Sequence, residues 1–482
     1  MLHFLLAADT WAPYPKWLNP GDNAWQMTAA TLVGLMSVPG LAVLYGGVMQ
    51  KRWSVNSMML SFVAFALVLI VWVLYGFKMG FGEPMHIFGA HGGSFFANMW
   101  GKPATILGHA AEQGQAVVPS ITTGPAFNFP QSSLAYFQFV FAAITPILML
   151  GSVLGRINFK AWIPFVLLWS SLIYTVNAFL IWGGGFFSQH GAVDFSGGYV
   201  IHLAAGVSGF VAAAVIGPRL QRDREVDAPN NLLMVALGAG LLWMGWNGFN
   251  GADPYYAGAD AAAAILNTNL ACAVAFLGWV AWDYITGNKP SLIGSVNGMI
   301  VGLVAITPGA GFVNGWGALA IGLIGTTLVY FALNYLSRLN PFRRVDDTLG
   351  VVYTHGFAGV AGGLLVGIFA DPNMVLYLGT NGTANISITG LIHGDGGHLL
   401  KWQAITAAWV IGFSAIGTFI LLKIVGIFMP LRMTEKDMEM GDLAVHGHEV
   451  YPSDVPSLSY PSGLPAAPPP APAPVPQQPT TG

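Results

Sequence analysis

The chain has 482 residues, of which 54% are hydrophobic and only 8% charged, with a net charge of -3 and a mean hydropathy of +0.61. Soluble chains carry about 25% charged residues, so this one has too few charges to cover a water-exposed surface and reads as a polytopic membrane protein. It offers no basic patch for nucleic acid, and its single cysteine, Cys272, excludes an internal disulfide framework.

In chain order, the opening MLHFLLAADT lacks a basic n-region, and residues 1–23 are expected to form an exterior segment. Eleven apolar segments follow, at about 24–49, 57–80, 132–153, 161–180, 197–217, 231–250, 262–285, 291–307, 315–336, 348–370 and 402–428. Most reach the roughly 20 residues a spanning helix needs, and the eighth is short. None alternates at period two as barrel strands do. The expected fold is therefore all-α, with eleven transmembrane helices in one domain over residues 24–428 in a cell membrane. Two loops are long, 81–131 and 371–401, and the second holds N-x-[ST] sequons at Asn381 and Asn385. Residues 429–457 read as a charged cytoplasmic tail, and 458–482 as a Pro/Ala-rich disordered end.

Lys and Arg give the orientation. Lys16, Lys78, Lys102 and Lys401 fall on one side, and the other fourteen of eighteen on the opposite side. The positive-inside rule then places the N-terminus outside and the C-terminus in the cytoplasm.

One pattern occurs twice. DFSGGYVIHLAAGVSG at 194–209 and DTLGVVYTHGFAGVAG at 347–362 both read D-x2-G-x4-H-x3-G-x2-G. The first enters the membrane from outside and the second from the cytoplasm, so helices one to five and six to ten are expected to be inverted repeats around a central pore. Eight helical residues rise about 12 Å, which puts His202 and His355 near mid-depth from opposite faces. A buried histidine can simply be neutral and satisfied by a backbone carbonyl, but two in a repeated motif point to function. Asp194 and Asp347 suit N-capping of the helices they precede, with an electrostatic effect on the pore.

Aromatics gather at the outer end. FQFVFAAIT places Phe137 and Phe141 on one helix face, IWGGGFF brings Trp182, and GWNGFNGADP brings Phe249 and then Asp253. Aromatic faces beside a carboxylate suit a small cation, although aromatic belts also mark membrane interfaces in general.

These stretches, with PGLAVLYGG in the first segment and HGHEVY in the tail, resemble the ammonium transporter/methylammonium permease/rhesus glycoprotein family over residues 24–451. The resemblance implies an eleven-helix subunit with its own pore, assembled as a homotrimer. Ammonium would be recruited outside by Trp182 and Phe137 with Asp253, pass a gate of stacked Phe141 and Phe249, and meet the hydrogen-bonded pair His202 and His355. Asp194 would support conduction, and no cofactor or metal is implied. Asp253 stands where well-studied members have serine, and Gly350 where many bacterial members have a second acid. Control by a cytosolic PII-type signalling protein through the tail, and transport of methylammonium, follow from the same resemblance. Two rivals stay open: a haem protein with both histidines as axial ligands, and an ammonium sensor acting through a separate partner.

Overall fold

The computed structural model describes residues 15–119, 126–225, 228–377 and 385–451. The first fourteen residues, the sequon at Asn381 and the Pro/Ala-rich end lie outside them; Asn385 is exposed on the short strand Asn385–Ile386.

Eleven apolar helices run in the expected order: α1 Pro20–Val48, α2 Lys51–Phe81, α3 Gln131–Leu150, α4 Phe159–Gln189, α5 Gly198–Ile216, α6 Leu232–Gly251, α7 Ala259–Ile285, α8 Leu292–Ile306, α9 Gly315–Arg338, α10 Val352–Phe369 and α11 His398–Phe428. Among the described residues ten are long and apolar enough to cross a membrane, and α8 is the short one of 15 residues. The chain is a multi-pass membrane protein. The largest boundary difference is at α4, which runs on to Gln189 rather than ending near 180; the early starts of α1 and α2 have a polar cause. α1 starts before its apolar run because the Asn19 side chain accepts from Gly21 N and Asp22 N, with Pro20 at the first helical position. α2 starts early because Ser54, Asn56, Ser57 and Ser61, polar in sequence, face the protein interior, with Ser57 and Ser61 bonding carbonyls one turn back.

α3 is buried along nearly its whole length and forms the centre, whereas α11 exposes Ile416, Ile427 and Phe428. The start of α5 is tied to the end of α8 by Phe195 N to Pro308 O (3.1 Å) and Ser196 N to Thr307 O (3.2 Å). The approach to α10 is tied in the same manner to the end of α3, by Thr348 N to Ser152 O and Leu349 N to Gly151 O, both 3.2 Å.

Each position of the repeated motif has a local task. Asp194 accepts from the backbone N–H of Gly197 (3.1 Å), Tyr199 (2.8 Å) and Val200 (2.9 Å). Asp347 accepts from Val352 N at 2.9 Å. Gly197 and Gly350, the first glycines, take φ of +114° and +67°, a region that penalises a Cβ. Both histidines sit in π-turns, Gly198–Leu203 and Val352–Phe357, which widen the helix by one residue per turn. α5 and α10 cross at Gly206, where an added Cβ would lie 2.3 Å from Gly356 N. Close backbone approach of this kind is the use of small residues between membrane helices.

On the face that carries the tail, Asn158 N bonds Leu431 O and Met433 N bonds Arg156 O. Asp442 reaches back to cap α2 through Val55 N (2.9 Å) and Asn56 N (2.8 Å). Burial pushes its carboxyl up to about 6 against the pull of those two N–H groups. Nearby, Arg219 pairs with Asp346 at 2.9 Å, with both side chains buried. Burial alone would raise Asp346, but the hydrogen bond and charge of Arg219, with the charge of Arg156, hold it below the usual carboxylate range.

Candidate functional site

The two histidines, 153 residues apart in sequence, meet in the interior with Nδ1 to Nδ1 at 3.2 Å and ring centroids 5.3 Å apart. One nitrogen must donate and the other accept, so the pair shares a single N–H across the contact. Nitrogens in hydrogen-bond contact leave no room for a porphyrin plane between them, and the haem reading falls on that geometry. His202 is completely buried, and its Nε2 has no hydrogen-bond partner among the described residues.

Above His202 the aromatic residues form a continuous chain of rings. His202 stacks near-parallel on Phe249 (5.8 Å) and Trp246 (5.3 Å). Phe249 meets Phe141 at 4.4 Å and 67°. Phe141 meets Trp182 at 6.1 Å and Phe137 at 4.7 Å. Phe141 and Phe249 therefore touch edge to face rather than in a parallel stack, a favoured quadrupole arrangement. Both are essentially unexposed. Trp182 and Phe137 each pack on Phe141; Phe137 turns its other side to Tyr255 at 6.2 Å.

The carboxylates complete the far end of this chain of rings. The Asp194 carbonyl accepts from Trp182 Nε1 at 2.6 Å, so one residue caps α5 and anchors the indole. Asp253, 7% exposed, lies just past the end of α6, and its Oδ2 has no hydrogen-bond partner among the described residues. The neighbouring Ser196 hydroxyl gives its proton to Phe249 O at 2.7 Å. Burial first, and then the charge of Asp194, push Asp253 well above the usual carboxylate range, although Ser196 pulls the other way. Asp347 stands at the opposite end, lining with His355 a cavity of about 360 Å³ that also touches Tyr45, Asn297, Ser337 and Thr354.

Four residues at the site went unnamed in the sequence reading. Trp246 precedes Phe249 by three positions and shares its helix face, a signal present in GWNGFNG. Tyr255 accepts from Gln138 Nε2 at 3.0 Å, and Tyr174 is fully buried with a hydroxyl that has no partner among the described residues. They and Ser196 are brought in by folding, and no spacing rule in the sequence pointed to them.

Eleven apolar helices that bury two histidines and two carboxylates define a multi-pass helical membrane protein whose polar chemistry is internal. The model of the Ammonium Transporter Family matches residues 24–451. Ammonium transporter 2 of Arabidopsis thaliana is 47% identical over 439 residues, covering 91% of this chain and 89% of its own. Among solved structures, Mep2 of Candida albicans matches with a TM-score of 0.73 at 26% identity over 88% of each chain. Mep2 of Saccharomyces cerevisiae matches at 0.70 and 29%, over 87% of this chain and 91% of that one. The chain belongs to the Ammonium Transporter Family, whose members are transporters and not enzymes.

Proposed function

We propose that this protein transports ammonium across the cell membrane, conducting ammonia, with or without its proton, through an apolar pore lined by His202 and His355. The observation that carries the reading is the buried Nδ1 contact of 3.2 Å at the foot of an unbroken chain of aromatic rings. A whole ammonium ion in hydrocarbon faces a desolvation cost far beyond what a few rings return. Removing its proton leaves a small neutral molecule that crosses an apolar conduit cheaply, and a coupled histidine pair can hydrogen-bond it and relay a proton. In this reading Trp182, Phe137 and Asp253 recruit the ion, Phe141 and Phe249 gate it, and Asp194 and Asp347 organise the helix starts beside the histidines. The two motif-bearing halves are inverted repeats, the N-terminus is outside and the tail cytoplasmic. Three copies assemble, and the tail offers a PII-type protein its contact; methylammonium is a second substrate. The relatives' names as ammonium transporters support the substrate.

The test is an ammonium pulse on proteoliposomes, recording current and lumenal pH. The native protein is expected to give a current or, if ammonia crosses alone, lumenal alkalinisation. The His202→Ala/His355→Ala variant should lose the response or its selectivity. A native protein that yields neither signal would sink the transport reading.

A further inference from the structure

We infer that Asp253 is the group that takes the proton from ammonium at the outer mouth, with Asp194 as the fixed charge that stays ionised beside it. The inference rests on the transport reading above and goes beyond it, since recruitment requires Asp253 only to attract.

Two buried carboxylates in one small region cannot hold charge equally, and their surroundings decide which of them keeps it. Asp194 has three backbone N–H groups aimed at its oxygens, within 2.8 to 3.1 Å. Such donors favour the ionised form strongly. Asp253 has an Oδ2 with no donor among the described residues. Ser196 is close enough to pull the Asp253 carboxyl down, but its single proton is donated to the Phe249 carbonyl, which can only accept. Among the described residues the charge that acts on Asp253 is that of Asp194, and Asp253 in turn acts on Tyr174 and Tyr255; none of the three is a cation. A buried, ionised carboxyl with an unfilled oxygen is costly, and two things relieve it: an ammonium ion, or the ion's proton. The two follow in sequence.

The step balances simply. Ammonium docks with an N–H directed at Asp253 Oδ2. That N–H bond breaks with its electron pair left on nitrogen, and an O–H bond forms on Oδ2. Ammonia and a neutral carboxylic acid result, with no oxidant or reductant involved. Both products are better suited than the ion pair to a dry, ring-lined region, and ammonia moves on past Phe141 and Phe249. The O–H bond on Oδ2 then breaks toward water at the mouth, which carries the proton away as hydronium, and the carboxylate is restored before the next ion docks.

Asp253→Asn keeps shape and loses basicity, and Asp253→Ser removes the group altogether. Both are assayed beside the native protein in proteoliposomes, after confirming that each runs as a monodisperse species in detergent. If Asp253 accepts the proton, both variants lose about 100-fold in maximal rate, the scale of one acid–base group, and the dependence of rate on exterior pH flattens. Infrared difference spectra on adding ammonium chloride should then show a protonated-carboxyl band in the native protein that is missing from Asp253→Asn. A rise in half-saturation with an unchanged maximal rate and pH profile, or a band that persists in Asp253→Asn, overturns the inference while leaving transport intact. A silent native protein would instead strike at the transport reading itself.

Discussion

The two ends of the histidine pair are built differently. On the His202 side, the rings of Trp246, Phe249, Phe141 and Trp182 succeed one another in contact, and the Asp194 carbonyl anchors the Trp182 indole. On the His355 side a cavity of about 360 Å³ reaches the imidazole itself and is edged by Asn297, Ser337 and Thr354. One copy of the repeated motif thus meets a chain of packed rings and the other a cavity. The lesson is that the repeat dictates the backbone (cap, left-handed glycine, π-turn, helix crossing), while residues outside the repeat decide what each histidine faces.

The widest expected gap between the ends lies at the caps. Asp194→Ala strips three charge-assisted N–H bonds and should cost about 4 kcal/mol, whereas Asp347→Ala should cost about 1 kcal/mol. Thermal midpoints in detergent check this; equal losses would show that the ends are equally dependent on their acids. Next come the histidines. His202→Ala leaves a void among rings and should cost about 3 kcal/mol, while His355→Ala opens onto a cavity that water can fill and should cost about 1 kcal/mol. The same unfolding measurement tests that ordering, and its reversal would break the contrast between packed rings and cavity.

A third expectation concerns pH and the His355 end alone. Asp346 is held below the usual carboxylate range by Arg219 and Arg156, so its contribution is present above the ordinary carboxylate pKa and disappears as pH falls through the depressed value. Asp346→Asn should therefore lower stability by about 3 kcal/mol at neutral pH, as breaking a buried pair does. The gap from the native protein should close only below about pH 4. A constant gap across that window would remove the ion pair as its cause. The smallest effect is a control: Gly412 on α11 has nothing within 4 Å of an added Cβ, so Gly412→Ala should shift stability by less than about 0.5 kcal/mol. Gly206→Ala at the α5–α10 crossing should do far more.

Much of this was legible beforehand, for definite reasons. A spanning helix needs length and apolarity, both local properties, so all eleven segments were visible, including the short eighth. Their ends were less visible, because Asn19 and the serines of α2 are polar in sequence and become helical only through capping and interior packing. His202 and His355 stood out because ionisable residues are rare in apolar runs and these recur at one spacing. Tyr174, Tyr255 and Ser196 did not, since an aromatic or a serine among so many carries no signal until its neighbours are known. The pairing of Trp182 with Phe137 is a further example. Both lie at the same end of the bundle, but each packs on Phe141, a choice made by side-chain direction rather than by helical register.

The sequence by itself determined the class of protein, the number and order of its helices, and the doubled Asp–Gly–His–Gly–Gly pattern, because hydrophobic length and periodicity are written along the chain. Only the tertiary structure decided that the two histidines touch, that Phe141 and Phe249 meet edge to face, and that His202 lies against rings while His355 lines a cavity. Those outcomes depend on contacts between residues a hundred or more positions apart. Such contacts are set by how α3, α5, α6 and α10 close on one another, which no local stretch of sequence encodes.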